Sequence, residues 1–336
     1  MRKTRKSKLK GQKQILLVGL FVFVTLMTIG YAAFNTNITL HVKGNIKTKP
    51  VDIGGVDVTP VTEGDGLYED EYEEGRYVYR GSNPNNYIMF NNELWRIISK
   101  EADGTYKIIR NDVLSNRAFD KQNRTSSSTY CKSTRGCGVY AAVSGTFSSP
   151  SGSQSGTVTE DSSIKIYLND DYYVNNINST AKDQMTSHSF NIGAVEYLNQ
   201  SGAEADSIEK NIAGEKMYTW TGNVGLVNVS DILRASTNPL CTSATTSSSD
   251  VDACNSNYLL DKGSASSLYY WTINAYSYES GGNSYDAWYG DAYRSSARVY
   301  NSGASSSANA PRPAVFLKSD TTLSGSGTES DPYTIA

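Results

Sequence analysis

Twenty apolar or small residues, Ile15 to Phe34, follow a leader that carries Arg2, Lys3, Arg5, Lys6, Lys8, Lys10 and Lys13 and no acid. A hydrocarbon core about 30 Å thick needs roughly 20 apolar helical residues to cross it, and flanks rich in Lys and Arg stay cytoplasmic. Residues 1–14 are therefore expected to be a basic cytoplasmic leader, 15–34 a transmembrane segment or signal, and everything C-terminal extracellular. The length favours an anchor over the shorter apolar stretch of a cleaved signal. Gly30-Tyr31-Ala32-Ala33-Phe34-Asn35 nonetheless resembles the cleavage region of exported matrix-fibre subunits of Gram-positive bacteria, so a secreted product stays open.

With the 7 leader cations set aside, 24 of the 31 Lys and Arg remain against 34 Asp and Glu. An acidic exported part argues against nucleic acid as a partner, because phosphate binding needs clustered cations. It suits a soluble surface protein. Tyrosine outnumbers phenylalanine 24 to 8, which fits half-exposed strands and binding surfaces, since the ring packs while the hydroxyl stays wet.

The four cysteines form two close pairs, Cys131 with Cys137 and Cys241 with Cys254, each in Ser/Thr-rich sequence. Their spacing is not that of zinc knuckles. In an oxidising exterior it predicts disulfides 131–137 and 241–254.

Residues 35–74 read as an extended acidic stalk. Ile38, Leu40 and Val42 alternate, Pro50, Gly54, Gly55, Pro60 and Gly64 interrupt, and Asp65, Glu69, Asp70, Glu71, Glu73 and Glu74 form a self-repelling solvated cluster without EF-hand spacing. Residues 75–336 read as one extracellular α+β domain with a mixed, mostly antiparallel sheet and a few short helices. A four-strand meander is expected over 77–80, 87–90, 94–101 and 105–110, with Asn91-Asn92 and Ala102-Asp103-Gly104 as turns and Trp95 in the core. Residues 125–161 read as a long surface loop. Helices are expected behind Asp161/Ser162, behind Asn178-Ser179-Thr180, and from a cap at Ser230, and a closing strand over 314–317.

Several phrases then occur in order: Asn91-Asn92-Glu93-Leu94-Trp95-Arg96-Ile97-Ile98, Tyr167-Leu168-Asn169, Ser187-His188-Ser189-Phe190-Asn191-Ile192-Gly193, Trp220-Thr221-Gly222, Val229-Ser230-Asp231-Ile232-Leu233-Arg234-Ala235, Tyr270-Trp271 and Arg312-Pro313-Ala314-Val315-Phe316-Leu317-Lys318. Together they resemble an uncharacterised family of exported domains of low-GC Gram-positive bacteria. That family is in turn distantly similar to sulfatase-modifying-factor and C-type-lectin-like folds. The resemblance implies a C-type-lectin-like architecture. Sulfatase-modifying chemistry would need active-site cysteines in an aromatic cleft, which these short loop pairs do not offer.

No catalytic motif, metal set or cofactor fingerprint is present. His41 falls in the stalk and His188 after a helix end, where a structural role outweighs that of a general base. Carboxylate pairs drawn from Asp170, Asp171, Asp286 and Asp291 are what any acidic domain offers. The candidate ligand-binding residues are Trp288, Tyr289, Asp286, Asp291, Tyr293 and Arg294, in a Gly/Ser/Asn-rich stretch that also holds Trp271, Tyr276 and Tyr278. Aromatic faces beside polar forks suit capture of a glycan or peptide. Trp271 is expected in the core and Trp288 at the surface. The chain thus reads as a non-enzymatic recognition or adhesion protein of the cell surface, with a structural matrix protein as the alternative.

Overall fold

The computed structural model describes residues 49–121, 130–132, 135–197, 207–242, 254–263, 267–278, 285–293 and 296–336. The leader, the apolar segment 15–34 and residues 35–48 lie outside them. Among the described residues no helix is long and apolar enough to cross a membrane.

The chain enters the fold through a short hairpin, β1 (Val51–Ile53) and β2 (Val56–Val58), then β3 (Gly66–Glu69) and β4 (Tyr77–Arg80). A meander follows in β5 (Tyr87–Phe90), β6 (Glu93–Lys100) and β7 (Tyr106–Arg110). Its first turn is Asn91-Asn92, both left-handed with φ of 55° and 60°, the geometry that matches the twist of a two-residue hairpin. The expected four-strand order is corrected in one respect. β4 pairs not with β5 but with the far end of β6, Tyr77 opposite Lys100, and carries β3 on its other side.

Of the stretch 125–161 that the composition suggested is a surface loop, residues 125–129 and 133–134 lie outside the described residues, and the described remainder is not a simple surface loop. The short pairs β8 (Cys131–Lys132) with β9 (Gly136–Cys137) and β10 (Thr146–Ser148) with β11 (Ser155–Thr157) fold over a second apolar cluster. Tyr130, Cys137, Val139, Phe147 and Val158 are fully buried in it, with Ala194 and Ala275. Few apolar side chains sufficed because each aromatic buries a large area.

The helical signals hold well. Ser162 caps α1 (Ser163–Ile166), which runs through a π-turn, Tyr167–Tyr172, into α2 (Tyr173–Asn176); Ile164, Leu168 and Tyr172 face the core. Asn178 caps α3 (Ser179–Gln184), its Oδ1 accepting the Ala181 N–H at 2.9 Å. After β12 (Met185–Thr186), β13 (His188–Asn191) and β14 (Val195–Tyr197) come α4 (Ser207–Glu215), β15 (Thr219–Gly222) and α5 (Val229–Arg234). The cap of α5 is Asn228 rather than Ser230, and the Asp231 carboxylate accepts the Asn228 N–H at 3.0 Å. Ser230 lies in the first turn, buried. His188 is on a strand, its ring stacked 3.9 Å from Phe316 and its Nε2 3.0 Å from Asp103 Oδ2.

The C-terminal third supplies β16 (Ser267–Tyr278), β17 (Asp286–Tyr293), β18 (Ser296–Gly303), β19 (Ala314–Leu317), β20 (Leu323–Ser324) and β21 (Tyr333–Ile335). The main sheet has the order β12-β19-β7-β6-β5-β21-β20 with β4 and β3 alongside, and a second sheet has the order β14-β16-β17-β18. Among the described strand pairings, β21/β5 and β14/β16 are the parallel ones. The fold is thus α+β with a mixed, mostly antiparallel sheet and a few short helices. Trp95, Ile97, Ile108, Val315 and Leu317 of the main sheet are fully buried in the larger apolar core. Both disulfides are present, Cys131 to Cys137 and Cys241 to Cys254, consistent with an extracellular protein.

The stalk reading fails for residues 49–74, because Ile53 and Leu67 are core residues and the acids find cations from far along the chain. Asp70 Oδ2 sits 2.7 Å from both Arg76 Nη1 and Arg234 Nη1. Glu73 takes Arg234 at 2.5 Å and Lys216 at 2.6 Å. Arg76 also reaches Glu101 and Asp231, each at 3.0 Å, and Lys107 Nζ lies 2.6 Å from Asp231 Oδ2. Asp70, Arg76, Lys107, Asp231 and Arg234 are all at most 7 % side-chain exposed, so removing one of them leaves buried opposite charges uncompensated.

Candidate functional site

The aromatic stretch of the sequence folds into β16, β17 and β18, three adjacent antiparallel strands. Register places Tyr289 between Trp271 on one side and Tyr300 on the other, and Asp291 between Tyr269 and Arg298. Because side chains alternate across a strand, these residues share one face. Tyr269 and Tyr289 have ring centroids 6.1 Å apart, Tyr289 and Tyr300 6.0 Å, in edge-on arrangements. Trp271 continues the row at 6.1 Å from Tyr289, but it is fully buried, its Nε1 donating to the Arg117 carbonyl at 2.8 Å and its ring 5.7 Å from Phe119. The open part of the face is therefore Tyr269, Tyr289 and Tyr300, all partly exposed, with Tyr293 beyond them.

A charged pair crosses this row. Arg298 Nε donates to Asp291 Oδ2 at 3.0 Å, and its guanidinium lies 4.1 Å over the Tyr300 ring. Burial pushes the hydroxyls of Tyr269 and Tyr289 above the ordinary tyrosine range, with Asp291 adding to the effect. They stay protonated at neutral pH and can donate as well as accept. The row is thus three rims of aromatic surface, neutral donors and acceptors, and one polar fork.

The same alternation separates the residues singled out from the sequence. Tyr289, Asp291 and Tyr293 belong to the open face. Trp288 does not, and the expectation that it is exposed is corrected. It lies on the opposite face of β17, fully buried, donating through Nε1 to the Val195 carbonyl at 2.9 Å and meeting Tyr276 edge-on at 4.9 Å. Its strand neighbour Gly290 shows how tight that side is, since a Cβ there would come within 2.8 Å of the Tyr270 ring. Asp286 also leaves the row. It accepts from Asn301 Nδ2 at 2.7 Å, and burial raises its carboxyl against the lowering effects of Asn301 and Arg135. Arg294 lies outside the described residues. Trp271 is core, as expected, and Tyr278 stacks at 5.5 Å on Tyr197.

Tyr269, Tyr300 and Arg298 were the members not singled out. Their signal was present: Tyr269-x-Trp271 and Arg298-x-Tyr300 alternate at strand period beside Tyr289-x-Asp291. What was missing was the pairing partner of each run. Among the described residues no group of three or more His, Cys, Asp or Glu side chains could hold a metal ion. Of the carboxylates considered for glycosidic chemistry, Asp170 and Asp171 lie on the π-turn, whereas Asp286 and Asp291 sit on β17. Comparison with protein families, curated proteins and solved structures finds no match to this chain.

Proposed function

We propose that this chain is a cell-surface recognition module, held at the membrane or released by its apolar N-terminal segment, whose ectodomain captures a glycan or peptide on the β16–β18 face. The observation that carries the reading is the row Tyr269, Tyr289 and Tyr300, left half-open on a rigid three-stranded platform with the Asp291–Arg298 fork across it. Aromatic rims give contact area at low entropic cost, and the fork and hydroxyls give direction. Strands hold such a row more precisely than a loop. Two disulfides suit the oxidising compartment the leader implies. A C-type-lectin-like relationship accords with the α+β architecture and forms part of the proposal.

The test is an unbiased glycan and peptide array probed with the parent and with Tyr289→Ala. Tyr289 is partly exposed, so its truncation should leave folding close to that of the parent while lowering capture by about tenfold or more, equivalent to about 1.4 kcal/mol of contact. Capture that persists unchanged in a folded Tyr289→Ala protein would sink the assignment.

A further inference from the structure

A groove of about 440 Å³ beside the β5–β6 turn is lined entirely by uncharged residues, Asn92, Ser179, Thr180, Gln184, Met89 and Ile335 prominent among them. Two other grooves of similar size carry charges, Asp261, Lys262 and Glu329 in one and Asp57 and Asp65 in the other. The polar side chains here divide into two sets. Asn91 and Asn178 are committed to the fold: Asn91 Nδ2 donates to the Asn176 carbonyl at 2.9 Å, its Oδ1 accepts the Asn178 N–H at 2.8 Å, and Asn178 caps α3. The side chains of Asn92, Ser179, Thr180 and Gln184 make no hydrogen bond among the described residues.

Asn92 adds a second, backbone observation. It holds φ at 60° in the second position of a two-residue turn, where glycine is the strain-free choice. Asn91 repays the same conformation by pinning the hairpin to the helical run. Asn92 does not, yet its free amide borders the groove. Departures from the least strained residue concentrate at functional sites.

We infer that this groove is a binding site for an uncharged glycan. The groove offers an ion no counter-charge, and a purely apolar ligand would strip water from two amides and two hydroxyls and give nothing back. A sugar supplies both sides of the match. Vicinal hydroxyls can exchange bonds with the Asn92 and Gln184 amides, which donate and accept, and Met89 and Ile335 offer apolar surface to the C–H face. Met89 is 36 % exposed, so part of its side chain is open to the groove. No groove residue belongs to the tyrosine row, so the two sites stand or fall separately.

The experiment follows the side-chain amide NMR signals of Asn92 and Gln184 in the ¹⁵N-labelled full chain. Probes are maltotriose, cellotriose, chitotriose and mannotriose at millimolar concentration, with trigalacturonate and trilysine as charged controls. At least one neutral sugar should shift both signals saturably. Asn92→Gly, which keeps the turn, and Gln184→Ala should each weaken that binding by about tenfold or more with melting temperatures at the parent value, and Tyr289→Ala should leave it unchanged. Silence from all four sugars, tighter binding of a charged control, or undiminished binding in both groove variants would overturn the inference.

Discussion

Truncating Trp288 is the sharpest test of the way β17 is oriented. The indole is fully buried, fills space against Tyr276, and satisfies the Val195 carbonyl through a 2.9 Å hydrogen bond. Trp→Ala in a packed core costs about 3 to 5 kcal/mol through lost transfer energy and the cavity left behind. The orphaned carbonyl adds up to about 1 kcal/mol, since Ser277 Oγ lies within 3.4 Å of it and can take part of the load. A loss near 5 kcal/mol compares with a total of about 5 to 15 kcal/mol for a domain. Trp288→Ala should therefore leave little folded protein at 37 °C, whereas Trp288→Phe, which keeps most of the packing and loses the N–H, should cost about 2 kcal/mol. Urea unfolding followed by near-UV circular dichroism reads both, with Tyr289→Ala as the open-face control. If Trp288→Ala unfolds within about 1 kcal/mol of the parent, or if Tyr289→Ala is the more damaging of the two, β17 presents the other face and the tyrosine row is misassigned.

Four further outcomes are expected. Asp231→Ala should cost about 3 to 5 kcal/mol in chemical denaturation, because it strands Arg76, Lys107 and Arg234 without their shared carboxylate. Glu215 is buried at the end of α4, accepting from Ser230 N–H at 2.8 Å and Ser230 Oγ at 2.6 Å, and burial raises its carboxyl to about 7. A raised carboxyl means the folded state binds the proton more tightly than the unfolded chain. Its contribution is thus complete below about pH 4.5 and is lost as pH rises through 7, by at most about 3 kcal/mol; Glu215→Gln should flatten that part of the melting-temperature profile, and an unchanged slope would refute it. Glu73 acts oppositely, because Arg234 and Lys216 hold its carboxyl down at about 2, so its stabilisation is present above pH 4.5 and fades as pH falls towards 2. Replacing Cys241 and Cys254 together by Ser should lower stability by about 2 to 3 kcal/mol, since the bridge closes a short loop, and peptide mapping without reductant should recover only the 131–137 and 241–254 pairs.

Much of the local structure was legible because its causes are local. Asn91-Asn92 makes a left-handed turn, Ser162 and Asn178 cap the helices that follow them, and the cysteines close in sequence are the ones that are bridged. The α+β class and the strand over 314–317 followed from the same short-range periodicities. The acidic cluster was misread because its meaning lies elsewhere in the chain: Asp70 and Glu73 look like a solvated run until α5 brings Arg234 against them. The stretch 135–161 with Tyr130 was misread because three buried aromatics, Tyr130, Tyr140 and Phe147, and a few valines are set among positions that are mostly Ser, Gly and Thr.

The candidate site shows the same division. Composition and position alone picked out the aromatic stretch around 286–294 in an acidic, tyrosine-rich chain. Which of those aromatics meet solvent was decided only when β16 and β18 took their registers against β17. A strand's two faces are chemically equivalent until one of them is packed. Burial of Trp288 against Val195 chose the inner face, and that choice turned Tyr289 outward beside Tyr269 and Tyr300, two residues about twenty and eleven positions away that no local pattern could have joined to it.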